Sequence, residues 1–307
     1  MLNKILIFIL LTFLIYLIIF LNHKNYNIHF LNKLETCELF KNNKYINDLT
    51  NMDLKLRHIY SNPFKFYCSH TLSYSNKEQN KLRELIITMN SKINSNFLKN
   101  WKFGKVDNFV ENGFPHTHKD AILLPNSIIK NINDPDFHNS ICSLLIHEKT
   151  HVLQRQYEHM FNDLYSNYWN FIKVKNIKNI HKILPLVRSN PDANNIKWVF
   201  SDGNEYILPV SLFNSSYSMS NVDYIGIYLI KRGDEFIIPK NYKKKDLKHI
   251  HSYSNFFKGI KYNMYHPNEL SAEMFSFYYL DKLKFSDKLN SPAMKKFIEW
   301  YERFDIF

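Results

Sequence analysis

Two histidines and a glutamate stand at a spacing that suits metal-assisted hydrolysis. They are His147, Glu148 and His151, within the stretch HEKTH. On a helix, side chains four residues apart lie on the same face, so both imidazoles could bind one ion. Zn²⁺ accepts neutral imidazole nitrogen, and a glutamate beside the first ligand can take a proton from the water at the open coordination position. The stretch predicts one catalytic Zn²⁺ per chain with Glu148 as general base; the alternative is a helix with two surface histidines.

A catalytic zinc ion needs a third protein ligand, and the sequence offers candidates far downstream. Glu269 and Glu273 stand four residues apart in HPNELSAE, on a helix that we expect to begin at Pro267. One carboxylate could bind the metal while the other hydrogen-bonds a ligating histidine and fixes its orientation. We prefer Glu269 as the ligand; the alternative is a pair of ordinary acids at a helix start. Less favoured acidic ligands are Glu158, Asp163 and Glu205.

The motifs HEKTH and NELSAE together resemble the gluzincin metallopeptidases, in which a glutamate on a second helix completes the metal site. The resemblance implies that His147, His151 and Glu269 bind Zn²⁺. It further implies that Glu148 is the general base and acid, and that Glu273 supports a ligating histidine. A metzincin would instead carry a third histidine at the position of Tyr157.

The resemblance covers short blocks only, and the chain departs from the family in one respect. His151 and Glu269 are further apart than in the compact gluzincins, which implies that a strand-rich section lies between the two active-site helices. The blocks FPHTH, LLIHEKTHVLQR and HPNELSAE also resemble uncharacterised zincin-like proteins. That similarity implies a zincin-like fold and indicates no substrate.

Hydrolysis of an amide also needs a donor for the negative oxygen that forms on the attacked carbonyl. His266 is our first choice for this role, ahead of Tyr262 and Tyr265, because all three shortly precede Glu269. The histidines of His116–His118 precede the strand-like run AILLP, where an extended substrate could pair with a sheet edge. We expect these histidines and Tyr265 to line the substrate groove; a plain surface loop is the alternative for the histidines.

Hydrophobic periodicity indicates which elements position these residues. Apolar residues at helical spacing predict a helix over 77–101 and another from Pro135 through Tyr157. The runs WKFGKV and AILLP predict two strands around the loop that holds the histidines of His116–His118, and short β-type runs between Lys197 and Lys240 predict a small, mainly antiparallel sheet. Two further helices are expected after Pro267 and in PAMKKFIEWYERF. The predicted fold class is α+β and zincin-like, with one active-site helix and one second ligand-bearing helix.

The start of the chain is strongly apolar. Ile5–Leu21 carries no charge and is just long enough to cross a bilayer as a helix. We therefore expect a transmembrane anchor over 1–22, a juxtamembrane linker over 23–50 and a metallopeptidase domain over 51–307. A cleaved signal peptide is the alternative. The side of the membrane stays open, because lysine bias favours the cytoplasm whereas the sequon at Asn214 favours the exterior.

Charge and cysteine content limit the function classes. The net charge of +12 would suit nucleic acid or acidic lipid, but the lysines are scattered and no recognition motif accompanies them. No nucleic acid partner is expected. Three cysteines are too few for a disulfide framework or a cysteine zinc site. Cys37 and Cys68 could pair in an oxidising compartment, and Cys142 is expected in the core.

The sequence thus favours a membrane-anchored zinc metallopeptidase acting on a peptide or protein, without deciding between endopeptidase and exopeptidase. The alternatives are a catalytically inactive zincin-like binding module tethered to a membrane and, less favoured, a basic membrane-surface protein that binds nucleic acid or acidic lipid.

Overall fold

The computed structural model describes residues 26–93, 95, 98–132, 134–193, 195–214, 218–260, 264–282 and 290–304. Its first sheet mixes parallel and antiparallel pairs in the order β1-β3-β5-β4, with β2 also paired to β3. The five strands are β1 (Asn27–Phe30), β2 (Thr71–Leu72), β3 (Asn100–Val106), β4 (His116–His118) and β5 (Ala121–Pro125). Strand β3 runs parallel to β1 and β5, and β4 closes one edge antiparallel to β5.

The second sheet is mainly antiparallel, in the order β6-β8-β9-β10-β11-β7, with β12 also paired to β10. Its strands are β6 (Phe171–Lys173), β7 (Ile177–Lys178), β8 (Trp198–Ser201), β9 (Tyr206–Phe213), β10 (Val222–Arg232), β11 (Glu235–Ile237) and β12 (Lys244–Asp246). The long β9–β10 hairpin forms its centre. Along the chain, the strands of this sheet lie between the two helices that carry the candidate metal ligands.

Eleven α-helices fall within the described residues. Six precede the HEKTH helix: α1 (Lys33–Glu38), α2 (Lys44–Asn47), α3 (Asn51–Leu56), α4 (Pro63–Ser69), α5 (Asn76–Ile93) and α6 (Asn126–Lys130). The others are α7 (His138–Gln156), α8 (Glu158–Asp163), α9 (His251–Phe256), α10 (Pro267–Lys282) and α11 (Pro292–Tyr301).

Helix α7 carries HEKTH and packs against α10. Leu145 and Ile146 of α7 share one buried apolar core with Leu270 and Met274 of α10. The Ser276 hydroxyl also donates to the Ser143 carbonyl at 3.0 Å. Apolar burial along two helices therefore brings the HEKTH segment against the start of the second motif.

Glycine permits one close approach in the first sheet. A Cβ atom on Gly104 of β3 would lie 2.5 Å from Leu123 Cδ2 and 2.9 Å from Thr36 Cγ2. Without that atom, helix α1 can pack directly on the sheet. A disulfide between Cys37 and Cys68 joins α1 to α4, so the pairing that the sequence left open is formed, whereas Cys142 is free and buried.

The structure corrects the predicted membrane anchor. The range 1–22 lies outside the described residues. Among the helices that the structure describes, none is both long enough and apolar enough to cross a bilayer. The transmembrane helix in the predicted fold, and the membrane localisation that depended on it, are therefore not supported. Much of the expected linker, 23–50, belongs to the fold, because β1 pairs with β3 and two helices follow it.

The described elements differ from expectation in three further ways. The α+β class and the mainly antiparallel sheet hold, but β1–β5 form a second, mixed sheet before α7, in which only β3 and β5 were predicted as strands. The expected helix over 77–101 ends at Ile93, since Trp101 belongs to β3. Helix α7 begins at His138 because a 3-10 turn occupies Pro135–Phe137. Two residues of the sequon at Asn214 lie outside the described part.

Candidate metal centre

Helix α7 brings His147 and His151 together one turn apart. Their Nε2 atoms are 3.0 Å from each other, and their ring centroids are 4.7 Å apart. The helix has no internal proline or glycine, so its i and i+4 side chains remain on one face. Both Nε2 atoms can therefore face the same ion, as the spacing predicted.

Glu269 enters from the first turn of α10. Its Oε2 lies 3.5 Å from His147 Nε2, and its Oε1 lies 3.6 Å from His151 Nε2. Bonds of about 2.0 to 2.1 Å in a tetrahedral zinc site put neighbouring ligand atoms about 3.3 Å apart. The three residues form a group that could hold a metal ion, with ligand atoms within 4.8 Å of one another. This geometry does not identify the metal.

The second glutamate of α10 contacts the other nitrogen of the first histidine. Glu273 Oε1 lies 3.6 Å from His147 Nδ1, and the carboxylate is partly exposed. Glu273 therefore stands where it can orient His147 while Nε2 faces the ion. The less favoured acids lie elsewhere: Glu158 pairs with Lys173, Asp163 accepts from Asn167, and Glu205 is exposed.

Gln154 fixes the second histidine, and sequence reasoning missed it. Its Oε1 lies 2.9 Å from His151 Nδ1. Its Nε2 donates to the Asn268 carbonyl at 2.7 Å and to Ser271 Oγ at 2.8 Å. The amide thus joins α7 to α10 beside the ligands. Its position three residues after His151 in HEKTHVLQ was the available signal.

Asn190 fixes the glutamate and was also missed. Its Nδ2 donates to Glu269 Oε1 at 2.9 Å and to the Tyr265 hydroxyl at 2.7 Å. Tyr265 is buried, and burial together with the charge of Glu269 raises the pKa of its phenol. Tyr265 therefore supports the ligand through Asn190. Tyr265 was expected to line the substrate groove, but among the described residues the tyrosine that lines the cavity beside the metal group is Tyr224.

Glu148 is buried beside this group and also lines the cavity. Its Oε2 has no hydrogen-bond partner among the described residues. Burial raises the pKa of Glu148 well above its ordinary range, and the charges of Asp192 and Glu269 add to the effect. The carboxylate therefore has a free acceptor and a high proton affinity, which are the properties that proton transfer requires.

The electrostatics of the group favour a bound cation. Burial alone would lower the pKa of His147, but the hydrogen bond with Glu269 and the charge of Glu273 raise it to about 10. Carboxylates thus dominate the field at this imidazole. A divalent ion would relieve the same excess of negative charge. Two imidazoles, one carboxylate and an unpartnered Glu148 oxygen therefore fit a metal such as Zn²⁺.

The cavity has a volume of about 470 Å³, in the range of ordinary ligand pockets. His116 lines it together with Phe114. The His116 Nδ1 donates to the Phe114 carbonyl at 3.1 Å, and its Nε2 has no partner among the described residues. His118 is not among the described residues that line the cavity. Its Nδ1 accepts from Asn43 Nδ2 at 2.8 Å.

Strand β4 lies at a sheet edge, but its central residue is already paired. The Thr117 N–H donates to Asp192 Oδ2 at 3.0 Å, and its carbonyl accepts from Arg155 Nη2 at 3.1 Å. Arg155 and Asp192 in turn form an ion pair at 2.6 Å. An extended peptide therefore cannot pair with β4 at Thr117 in the way that the sequence suggested.

His266 lies in a different environment from the one expected. Its Nδ1 accepts from the Asn268 N–H at 3.1 Å, and its Nε2 lies 3.1 Å from the Asn195 carbonyl. Burial lowers the pKa of His266 to about 4, so the ring is neutral near pH 7. Both ring nitrogens of His266 therefore have backbone partners, which does not favour a hydrogen bond from this residue to a substrate oxygen. Tyr262 lies outside the described residues.

One further segment, which we call the wall segment (residues 187–192), forms part of the cavity wall. It lies in irregular chain between β7 and β8, and it supplies both Asn190 and Asp192. Ser189 anchors it: its hydroxyl donates to Asp53 Oδ2 at 2.7 Å, and its carbonyl accepts from Arg57 Nη2 at 2.7 Å.

Asp53 and Arg57 belong to a buried ion network with Glu111. Arg57 contacts Asp53 Oδ1 at 2.6 Å and Glu111 Oε2 at 3.0 Å. Tyr45 donates to Glu111 Oε1 at 2.8 Å, and Tyr67 donates to the same oxygen. The network has enough donors to satisfy both buried carboxylates. It therefore connects α3 and Glu111 to the cavity wall.

No family model matches the chain, and neither a curated protein nor a solved structure shows significant similarity to it. The case for function accordingly depends on the residues and distances of the site.

Proposed function

We propose that this protein is a zinc-dependent metallopeptidase of the gluzincin type. His147, His151 and Glu269 would hold one Zn²⁺, Glu273 would orient His147, and Glu148 would act as general base. The observation that carries the proposal is that the Nε2 atoms of His147 and His151 lie 3.0 Å apart, and each lies 3.5 to 3.6 Å from one of the two oxygens of Glu269 on a second helix. These separations are close to the value of about 3.3 Å between neighbouring ligand atoms in tetrahedral zinc.

When bound, the ion would polarise the substrate carbonyl and lower the pKa of water to about 7. The chain's own contribution is proton transfer and positioning. Glu148 would accept a proton from the attacking water through its unpartnered oxygen and donate it to the departing amine. Burial and neighbouring acids raise the pKa of Glu148, which strengthens the carboxylate as a proton acceptor.

Amide hydrolysis is favoured over a purely structural metal for two reasons. A structural zinc site usually has four protein ligands, whereas this group has three among the described residues. It also borders a cavity of about 470 Å³ that a small ligand could enter. The alternative is a catalytically inactive binding module that retains the metal.

The test is the variant Glu148→Gln, which keeps the size of the side chain but removes the base. We expect the native chain with one equivalent of zinc to cleave a mixed peptide library, and E148Q to cleave it about 10²- to 10⁴-fold more slowly. Metal analysis should give the same zinc content for both proteins. Glu84→Gln, on α5, is the matched control. Zinc-loaded native protein that cleaves no peptide would favour the binding module, and equal rates for native and E148Q would refute Glu148 as the base.

A further inference from the structure

Arg188 belongs to the wall segment, and its positive charge is not paired with a carboxylate of the metal group. It lines the same cavity as His147, Glu148 and Glu269, and its side chain is partly buried, with Nε shielded from solvent. Its position is fixed by the backbone: the Arg188 N–H donates to the Ser211 carbonyl at 2.9 Å. On either side, Val187 forms a β-bridge to Leu212 and Ser189 is anchored to Asp53.

The guanidinium of Arg188 has no carboxylate within ion-pair distance among the residues that the structure describes. Its Nε is buried without a hydrogen-bond partner in that same part of the chain. The buried guanidinium near the cavity, Arg57, has two carboxylate partners, and Arg155 pairs with Asp192. Arg188 instead interacts with the phenols of Tyr265 and Tyr224, whose rings stack 5.6 Å apart, and the charge of Glu269 acts on it from beyond ion-pair distance.

A partly buried guanidinium without an anion is costly, because desolvation is not repaid by an ion pair. Its planar set of N–H donors matches a carboxylate, which it can bind through two parallel hydrogen bonds. Five acids line the cavity, and none of them forms an ion pair with Arg188; they are Glu111, Glu148, Asp192, Glu269 and Glu273. An anion at ion-pair distance from Arg188 would therefore come from a ligand in the cavity.

We propose that Arg188 binds a carboxylate of the peptide substrate and so selects acidic substrates for the neighbouring metal group. The proposal rests on the proposed peptidase function for the identity of the ligand, but the binding site itself does not require a metal. The carboxylate has two sources, the C-terminus of a peptide or the side chain of an aspartate or glutamate. The first would make the protein act near peptide ends, and the second would give it a preference for an acidic residue.

The first experiment measures binding to metal-free protein, so that a carboxylate cannot bind zinc. Three probes are compared by calorimetry: N-acetyl-phenylalanine, its amide, and the α-amide of N-acetyl-glutamate. The first carries a terminal carboxylate, the second carries none, and the third carries only a side-chain carboxylate. We expect one of the two acids to bind at least about tenfold more tightly than the neutral amide, since a hydrogen-bonded ion pair contributes that much.

Arg188→Met should reduce the affinity for that acid to the level of the neutral amide. Arg232→Met, which removes an exposed guanidinium from the end of β10, should leave it unchanged. The comparison between acid and amide uses the native chain and does not depend on the folding of a variant. Equal affinity of the native chain for all three probes overturns the proposal, as does a preference for the acid that persists in R188M.

The second experiment separates this proposal from the peptidase function. Zinc-loaded protein is given matched peptides with a free C-terminus, an amidated C-terminus, or an internal glutamate and an amidated C-terminus. We expect a kcat/KM at least about tenfold higher for the preferred acidic peptide, with most of that difference lost in R188M. Absence of any cleavage would refute the peptidase while the binding result stands. Cleavage at one rate for all three peptides would refute the role of Arg188 and leave the peptidase intact.

Discussion

Gln154 accepts a hydrogen bond from His151, with 2.9 Å between Oε1 and Nδ1. Because an amide oxygen can only accept, this contact places the ring proton of His151 on Nδ1 and leaves Nε2 with a free lone pair. That Nε2 is the atom facing His147 and Glu269. One side chain therefore selects the tautomer that a metal ligand needs, and it does so from the same helix.

Replacing this amide should weaken metal binding without removing a ligand. We expect Gln154→Leu to reduce zinc affinity about 10- to 100-fold, as is usual when the partner of a ligating histidine is lost. Competition with a chromophoric chelator measures the effect. Gln156→Leu is the control, because Gln156 is exposed two residues further along α7. If both variants bind zinc as the native chain does, Gln154 does not orient the ligand.

The two glutamates of α10 should differ in their effect on zinc. Glu269 faces both Nε2 atoms, whereas Glu273 contacts His147 Nδ1. We expect Glu269→Ala to lose its zinc on dialysis, and Glu273→Ala to retain it with an affinity lower by about 10- to 100-fold. Metal analysis of the dialysed proteins gives the answer. Loss of zinc only in the Glu273 variant would show that Glu273 is the ligand and that Glu269 is not.

The ion network behind the wall segment should be needed for stability. Glu111 is buried with Arg57, so Glu111→Gln would leave that guanidinium with only Asp53 as a carboxylate partner. We expect a loss of about 3 to 5 kcal/mol in the free energy of unfolding at pH 7, measured by urea denaturation. Glu38→Gln is the control, since the exposed ion pair of Glu38 with Lys41 should contribute little. Equal stability of native and E111Q protein would contradict this.

The same network predicts a pH dependence of stability. Burial alone would raise the pKa of Glu111, but attraction by Arg57 and His116, together with hydrogen bonds from Tyr67 and Tyr45, holds it below the ordinary value of 4.5. A carboxylate with a lowered pKa in the folded state stabilises the fold above its unfolded pKa, and this contribution is lost as the pH falls through the folded pKa. The stability difference between native and E111Q should therefore shrink below about pH 4.5. A difference that stays constant down to the acid transition would exclude this linkage.

The disulfide should contribute separately. Cys37 and Cys68 close a loop with a sequence separation of 31, which restricts the unfolded chain. We expect Cys37→Ser with Cys68→Ser to lower the free energy of unfolding by about 2 to 4 kcal/mol. Under reducing conditions, native and double-variant proteins should become equally stable. A native protein unaffected by a reductant, with its thiols shown to be free, would contradict the expectation.

The sequence predicted the parts of the site that depend on short-range spacing. His147 and His151 are four residues apart on one helix, so their approach follows from helical geometry alone. The approach of Glu269 could be inferred because its motif also begins a helix. The wall segment could not be predicted: Asn190 contacts Glu269 from 79 residues away, and it lies in irregular chain without periodicity. Arg188 lies in the same irregular segment, so its place beside the cavity could not be predicted either.

The first sheet was predicted only in part, because β3 and β5 were expected as strands whereas β1 was not. Strand β1 is four residues long and pairs with β3, whose Asn100 is the partner of Asn27. A strand so short gives little alternation, and parallel pairing across such a distance leaves no local pattern. The anchor was predicted from apolar length alone, and the structure supports no such helix in the residues that it describes.

The occupied edge of β4 has a consequence for how copies of this protein behave in solution. A free strand edge is a template onto which another chain can add, and this is a common route to aggregation. At Thr117 both main-chain groups are already bonded to the Arg155–Asp192 pair. The Arg155–Asp192 ion pair thus also blocks the addition of a strand from another copy of the protein at this edge of the first sheet.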